Sequence, residues 1–212
     1  MKKGELIVIS GFSGVGKGTV IGALRSANPE YRFSVSATTR APRPGEMDGR
    51  EYFFISREAF EKRISEGDLL EYTCYNGNYY GTPLSFIEEQ RAKGFHILLD
   101  IETEGALNVK RLVPDATLIF MIPPDAETLR RRLTGRGTET REQIIGRMKK
   151  SLAEAELVPR YDWIVVNEDF RRCAWDIYRI ATGSGRPMTE RAEALRMTEQ
   201  FRRDLPAIIE SL

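Results

Sequence analysis

The chain is poor in histidine and cysteine and carries almost no net charge, and each shortage removes a class of chemistry. Its 212 residues include a single histidine. A His-rich zinc site is therefore excluded, and histidine general acid–base work rests on His96 alone. His96 lies in F-H-I-L-L-D, an apolar strand, where a packed neutral imidazole is the expected role. The two cysteines, Cys74 and Cys173, have no metal-ligand spacing and no Cys-x-x-Cys arrangement, and read as reduced thiols of a cytosolic protein. A formal net charge of +1 gives no global field that favours nucleic acid. No stretch approaches a membrane span, and the apolar run Leu6 to Ile9 is shorter than a signal-peptide core. The expectation is a cytoplasmic protein with neither nucleic acid nor a membrane as partner, either a monomer or a homo-oligomer. Its length suits one substantial core with room for inserted subdomains.

What is present is concentrated at the start. E-L-I-V-I-S runs as a buried strand into G-F-S-G-V-G-K, which fits the phosphate-binding pattern G-x-x-x-x-G-K from Gly11 to Lys17. Gly11, Gly14 and Gly16 permit positive-φ turns that would point the N–H groups of this loop, Phe12, Ser13 and Val15 included, inward as an anion nest. Lys17 adds a mobile charge for β- and γ-phosphates, and the following helix adds its N-terminal dipole. One position departs from the strict pattern. Gly18 stands where a Ser or Thr hydroxyl usually ligates Mg²⁺, and Thr19 follows it. The metal would then be held by nucleotide phosphates, waters and a carboxylate elsewhere, or by Thr19.

Along the rest of the chain, strand-like and helix-like segments alternate, which predicts a parallel sheet covered on both faces. Helices are predicted from Lys17 to Ser26, Pro83 to Lys93, Glu104 to Leu112, Ala126 to Leu133, Thr140 to Leu157 and Cys173 to Ala181. Thr140 with Gln143 makes a capping box. Apolar strands are predicted at Arg32 to Val35, His96 to Asp100, Thr117 to Ile122 and Trp163 to Val166. Between Ser36 and Gly94 the rhythm breaks into an inserted antiparallel subdomain, with a hairpin turn at Asn76-Gly77. After the link Gly183 to Pro187, Met188 to Leu212 reads as an amphipathic helix that packs on the body or on a partner subunit.

A second constellation is more specific. In S-A-T-T-R-A-P-R-P-G-E, from Ser36 to Glu46, Arg40 and Arg43 bracket a proline, so a stiff loop holds two guanidinium forks that suit a phosphate dianion. G-N-Y-Y-G-T at Gly77 to Thr82, L-L-D at Leu98 to Asp100 and G-R-G-T-E-T at Gly135 to Thr140 follow in order. Together with the phosphate-binding loop, these motifs resemble the guanylate kinase family from about Glu5 to Ala181.

The resemblance implies a fold and a set of roles. The fold is a three-layer α/β sandwich of the P-loop class, with core 1–35 and 95–182, a GMP-binding subdomain 36–94, a mobile lid at about 134–147 and a helical extension 183–212. Arg40, Arg43, Tyr52 and Tyr80 would bind the GMP phosphate. Ser36, Glu71 and Thr82 would read guanine, whose N1–H and 2-amino group can both donate to one carboxylate. Asp100 would hold the Mg²⁺ water shell or the guanine amino group. Glu102 stands where the family usually has Asp, and Asn167 would meet the adenine end of ATP. Arg132, Arg136 and Arg147 match the arginines of the lid and the helix after it, and with Lys17 and Arg43 would stabilise the moving phosphoryl group.

The implied reaction is ATP + GMP to ADP + GDP, with dGMP as a second acceptor and Mg²⁺ as cofactor. Two alternatives stay open at this point: a non-catalytic binding module built on the same fold, or a kinase for another phosphorylated acceptor such as ribose 1,5-bisphosphate.

Overall fold

A computed structural model describes residues 3–135 and 140–212. Strand β1 (Leu6–Gly11) feeds helix α1 (Lys17–Ala27), followed by β2 (Tyr31–Phe33), β3 (Ala37–Thr38) and β4 (Phe53–Phe54). Helix α2 (Arg57–Ser65) leads to the hairpin β5 (Leu69–Tyr75) and β6 (Asn78–Pro83), then to α3 (Leu84–Ala92) and β7 (His96–Asp100). The chain continues through α4 (Thr103–Leu112), β8 (Thr117–Ile122), α5 (Ala126–Thr134) and α6 (Arg141–Ala155). A 3₁₀ turn (Val158–Arg160), β9 (Trp163–Val166), α7 (Phe170–Thr182) and α8 (Arg191–Glu210) complete it.

The strands form two sheets, ordered β2-β7-β1-β8-β9 and β4-β3-β6-β5. In the first, β2 runs parallel to β7, β1 to β8 and β8 to β9. Every residue of β1 is buried, and all of β8 beyond Thr117. Strands covered on both faces are near-continuous apolar runs, which is how these two segments read. The second sheet differs from the purely antiparallel subdomain predicted. Its hairpin is antiparallel, with Asn76 and Gly77 both at positive φ as a two-residue turn requires. Strand β4, however, pairs parallel to β3. The long loop between them carries the chain back to its starting end, and β3 itself, two residues long, is too short to leave a period in the sequence.

The chain divides into two compact units. One comprises the chain up to Leu6, Glu30–Leu99 and Leu107–Ala116. Within it Ala37, Phe60 and Leu69 form a small core to which Phe53, Ile55, Ile64 and Tyr79 add, and the Phe60 ring stacks on Tyr79 at 5.1 Å. His96 is packed as the sequence predicts: its Nδ1 accepts from the Glu5 N–H (3.2 Å) and its ring stacks on Tyr31. An accepting Nδ1 carries no proton, so the imidazole is neutral in this arrangement. Arg91 is buried beside it in sequence, donating to Gly4 O at 2.8 Å and to Asp115 Oδ2 at 2.5 Å.

The other unit comprises Ile7–Pro29, Asp100–Ala106 and Thr117–Leu212. The capping box at Thr140 is present in full. Helix α7 starts earlier than Cys173, because the Asp169 carboxylate accepts from the N–H groups of Arg171 and Arg172 and so caps it at Phe170. Cys173 is buried, and that burial pushes its thiol up to about 12, in keeping with an inert side chain. Helix α8 buries Ala194, Thr198, Phe201 and Leu205, one stripe at helical spacing, and packs against α5, α6 and β9. Among the described residues no helix is long and apolar enough to cross a membrane.

The core of the first unit is small, so single deletions there are costly. Phe60→Ala should destabilise the protein by about 3–5 kcal/mol, the usual range for a buried Phe truncated to Ala. Urea unfolding followed by fluorescence measures it, and a loss below about 1 kcal/mol would show that this core does not hold the unit together.

Candidate active site

The phosphate-binding loop belongs wholly to the second unit. Strand β1 delivers it, and a tight turn closes it, with the Val15 N–H donating to the Phe12 carbonyl at 3.0 Å. Gly14 and Gly16 lie at φ +88° and +99°, a region that side chains other than glycine adopt only with strain. Gly11 does not share this conformation, contrary to the sequence expectation. A Cβ on Gly11 would fall 2.6 Å from the Met121 carbonyl oxygen, so this glycine serves the close approach of β1 to β8 instead. Helix α1 begins with no side-chain cap and no acidic residue in its first turn, which leaves its N-terminal N–H groups available to an anion.

Side chains from far along the chain fix the loop. The Val15 carbonyl accepts from Asn167 Nδ2 at 2.7 Å and from Arg132 Nη1 at 3.0 Å, and Arg132 Nη2 donates to Asn167 O at 2.8 Å. Arg132 and Asn167, expected from the sequence to meet ATP, are thus also braces of the loop. Burial lowers the Arg132 guanidinium from its ordinary value, with the neighbouring Cys173 opposing that shift. Asn167 is 4% exposed, and its Oδ1 is buried without a hydrogen-bond partner among the described residues. Both residues line a cavity of about 330 Å³ with Gly14, Gly16, Thr19 and Phe170.

Lys17 Nζ donates to Gly11 O at 3.2 Å and lies 3.8 Å from Asp100 Oδ1. Desolvation raises the Asp100 carboxyl above its ordinary value against the pull of the Lys17 ammonium. Gly18 and Thr19 are exposed at the start of α1. Glu102 is turned to another partner: its carboxylate is ion-paired with Lys150 of α6. Arg147 lies half-buried on the same helix, and Arg136 falls outside the described residues.

The other candidate residues lie in the first unit. The buried Thr82 hydroxyl donates to Glu71 Oε1 at 2.6 Å, and Ser36 Oγ stands 3.5 Å from Thr82 Oγ1. Three residues predicted to read one base therefore form one hydrogen-bonded cluster. Ser36 precedes β3, while Glu71 and Thr82 come from the paired strands β5 and β6. The Tyr52 and Tyr80 rings meet edge-on at 5.9 Å, and the Arg40 guanidinium lies 5.0 Å from the Tyr52 ring centre. Arg43 is exposed, and its guanidinium makes no hydrogen bond among the described residues.

Sequence reasoning missed Glu46 as a member of this group. Its carboxylate binds both Arg40 Nη atoms at 2.6 Å and accepts the Arg43 N–H at 2.7 Å. One acidic side chain thereby fixes the loop that presents both arginines. A glutamate three residues after Arg43, in a Pro- and Gly-containing loop, was the available signal. The Arg40 contact, then the Arg43 N–H, hold the Glu46 carboxyl at about 2 against an ordinary 4.5.

Because the folded value is the lower one, the stabilisation is present above about 4.5 and is lost as pH falls through about 2. Wild type and Glu46→Gln should differ in urea midpoint at neutral pH, and the gap should close across that window. A gap that stays constant down to the acid end would exclude this carboxylate as its source.

Comparisons with known proteins agree with this geometry. A family model described as Guanylate kinase matches residues 3–182. A curated guanylate kinase of Streptococcus thermophilus (strain CNRZ 1066) is 49% identical over 180 residues, covering 84% of this chain and 86% of its own. One from Streptococcus pneumoniae (strain ATCC BAA-255 / R6) is 52% identical over 167 residues, or 78% and 80% of the two chains. The crystal structure of guanylate kinase from Anaplasma phagocytophilum matches with a TM-score of 0.62 at 32% identity, over 89% of this chain and 88% of that one. With a braced phosphate-binding loop in one unit, and a Ser–Thr–Glu cluster and two arginines held by Glu46 in the other, the chain belongs to the guanylate kinase family.

Proposed function

We propose that this protein transfers the γ-phosphoryl group of ATP to GMP, and to dGMP, giving ADP and GDP in purine nucleotide metabolism in the cytoplasm. The observation that carries the acceptor assignment is the hydrogen-bonded cluster of Ser36, Thr82 and Glu71. Guanine presents N1–H and a 2-amino group as adjacent donors, which the Glu71 carboxylate accepts. Thr82 already gives its proton to Glu71, so it orients the carboxylate. Ser36 Oγ, 3.5 Å from Thr82 Oγ1, turns its hydroxyl away from that contact to donate to O6 when guanine binds. Adenine lacks both donors and would cover the Glu71 carboxylate without donating a hydrogen bond to it, a mismatch of the kind that rejects an analogue by roughly 10⁴-fold.

Arg40 and Arg43 take the acceptor phosphate with the phenols of Tyr52 and Tyr80, and Glu46 holds the two arginines in place beforehand. Gly11 to Thr19 take the triphosphate, with Lys17 as its cation, and Asn167 and Arg132 border the nucleoside. The nucleophile is a phosphate oxygen whose second pKa is about 6, so it is already deprotonated at neutral pH. No general base is required, which accounts for the absence of histidine from the residues assigned to the two substrates. What the protein supplies is alignment, charge cancellation and exclusion of water. Arg132 and Arg147, with Arg136 in the lid that we place at 134–147, counter the charge that spreads over the transferring group.

The donor set suits Mg²⁺. Asp100 offers a carboxylate beside Lys17, and no cluster of three or more metal-ligating side chains occurs among the described residues. An ion that keeps several waters and takes phosphate oxygens needs no more than this. Bound there, Mg²⁺ would neutralise charge on the β- and γ-phosphates. We assign its water shell to Asp100, because Gly18 has no hydroxyl and Thr19 lines the cavity with Asn167.

Lys17→Ala should abolish turnover with an unchanged circular-dichroism spectrum, and an unaltered kcat would refute its role. Glu71→Ala should raise the GMP KM by roughly 100-fold while the ATP KM stays within about twofold. Equal effects on both substrates would remove Glu71 from base recognition.

A further inference from the structure

The segment after residue 182 lies outside the stretch that matches the guanylate kinase family, yet it reaches the phosphate-binding loop. Phe201 of α8 stacks on Phe12, the first residue of the loop after Gly11, with ring centres 4.4 Å apart and planes within 9°. Both side chains are buried. The contact continues inward: Phe12 meets Phe120 of β8 edge-on at 5.1 Å, and Phe120 meets Tyr161 at 5.0 Å. Phe12 also supplies the carbonyl that the Val15 N–H bonds, so the residue held by the stack is the one on which the loop's turn closes.

Helix α8 is itself anchored on the same unit at several points. Arg191 donates to the carbonyls of Pro159, Tyr161 and Asp162 at the end of the 3₁₀ turn. Arg202 reaches Glu156 at 3.2 Å. The helix also packs against α5 and α6, which carry Arg132 and Arg147. On the α5 side, Leu133 and Leu129 leave no space for a side chain on Gly14, and Arg132 holds the Val15 carbonyl. The loop therefore has side chains of α5 on one of its residues and the Phe201 ring on another.

We infer that Phe201 is a positioning residue for the ATP site: by stacking on Phe12 it holds the phosphate-binding loop in its anion-ready conformation, making the C-terminal helix a working part of the enzyme. This rests on the reading of the loop as the ATP site. Pre-organisation of the donors ahead of binding is what such a contact would supply, and its loss would weaken triphosphate binding more than recognition of the base.

The test uses the full chain with Phe201→Ala and Phe201→Leu, and two binding readouts by calorimetry: the β,γ-imido analogue of ATP, and GMP. Phe201→Ala should weaken the ATP analogue roughly tenfold and leave the GMP Kd within about twofold, with Phe201→Leu between wild type and Ala. Should Phe201→Ala fail to fold, Phe201→Leu carries the same comparison at smaller amplitude. Folded variants with a lower Tm but both Kd values unchanged would overturn the inference and make α8 a passive cover. An equal loss for both ligands would overturn it as well. Wild-type protein that binds neither ligand would instead strike at the kinase reading itself, so the two failures are distinguishable.

Discussion

A phosphate-binding loop is a set of backbone N–H groups made to converge, and convergence of like dipoles does not hold itself together. In this protein one set of restraints converges on a single carbonyl. Val15 O accepts from Asn167 and from Arg132, and the two donors are joined to each other through the Asn167 carbonyl. A hydrogen bond from a charged donor such as Arg132 contributes about 1.5–3 kcal/mol and one from a neutral amide such as Asn167 about 0.5–1.5 kcal/mol, which helps to keep two left-handed glycines in place. The left-handed Gly14 and Gly16 bracket that carbonyl, and the helix dipole becomes useful only once they are set. Asn167 also limits what the loop can be: any side chain on Gly16 would collide with its amide nitrogen, 2.8 Å from the Cβ position.

The loop that carries Arg40 and Arg43 follows the same logic with charge in place of backbone. The two arginines put like charges on one exposed loop, which repel and need a tether to stay in register. Glu46 answers both problems at once, neutralising Arg40 and tethering the backbone of Arg43. The Ser36–Thr82–Glu71 cluster is likewise wired in advance, since Thr82 orients Glu71 from within the sheet. A site that orders its donors and acceptors before the substrate arrives gives up less entropy on binding. The chemistry itself then needs no proton relay, in line with a chain whose one histidine is packed against Tyr31.

Features written in neighbouring residues were legible in the sequence. The glycines and Lys17 gave the loop, Asn76-Gly77 gave the hairpin, and Thr140 with Gln143 gave the start of α6. The clustering of Ser36, Thr82 and Glu71 was legible only through the resemblance to the family, because Glu71 by itself is one more strand carboxylate. What escaped depends on contacts across the fold. Asn167 bonds Val15 from 152 positions away and Arg132 does so from 117, distances over which no sequence period survives. Glu46 gripping Arg40 and Lys150 holding Glu102 are charge pairs whose geometry is decided by loop and helix packing. Gly11 was misread because glycine serves either a turn or a close approach, and only the neighbouring Met121 carbonyl distinguishes them. Strand β4 ran parallel to β3 for a reason no pattern records, the path of the intervening loop.

The central claim is that this site phosphorylates a guanine nucleotide because Glu71, Thr82 and Ser36 recognise the base. The most direct test is ADP formation from ATP with Mg²⁺, with GMP, dGMP, AMP, CMP, UMP and ribose 1,5-bisphosphate each offered alone. The account predicts turnover with GMP and dGMP and none above background with the others. Turnover with AMP or with the ribose bisphosphate would contradict it, because neither can satisfy the Glu71 carboxylate.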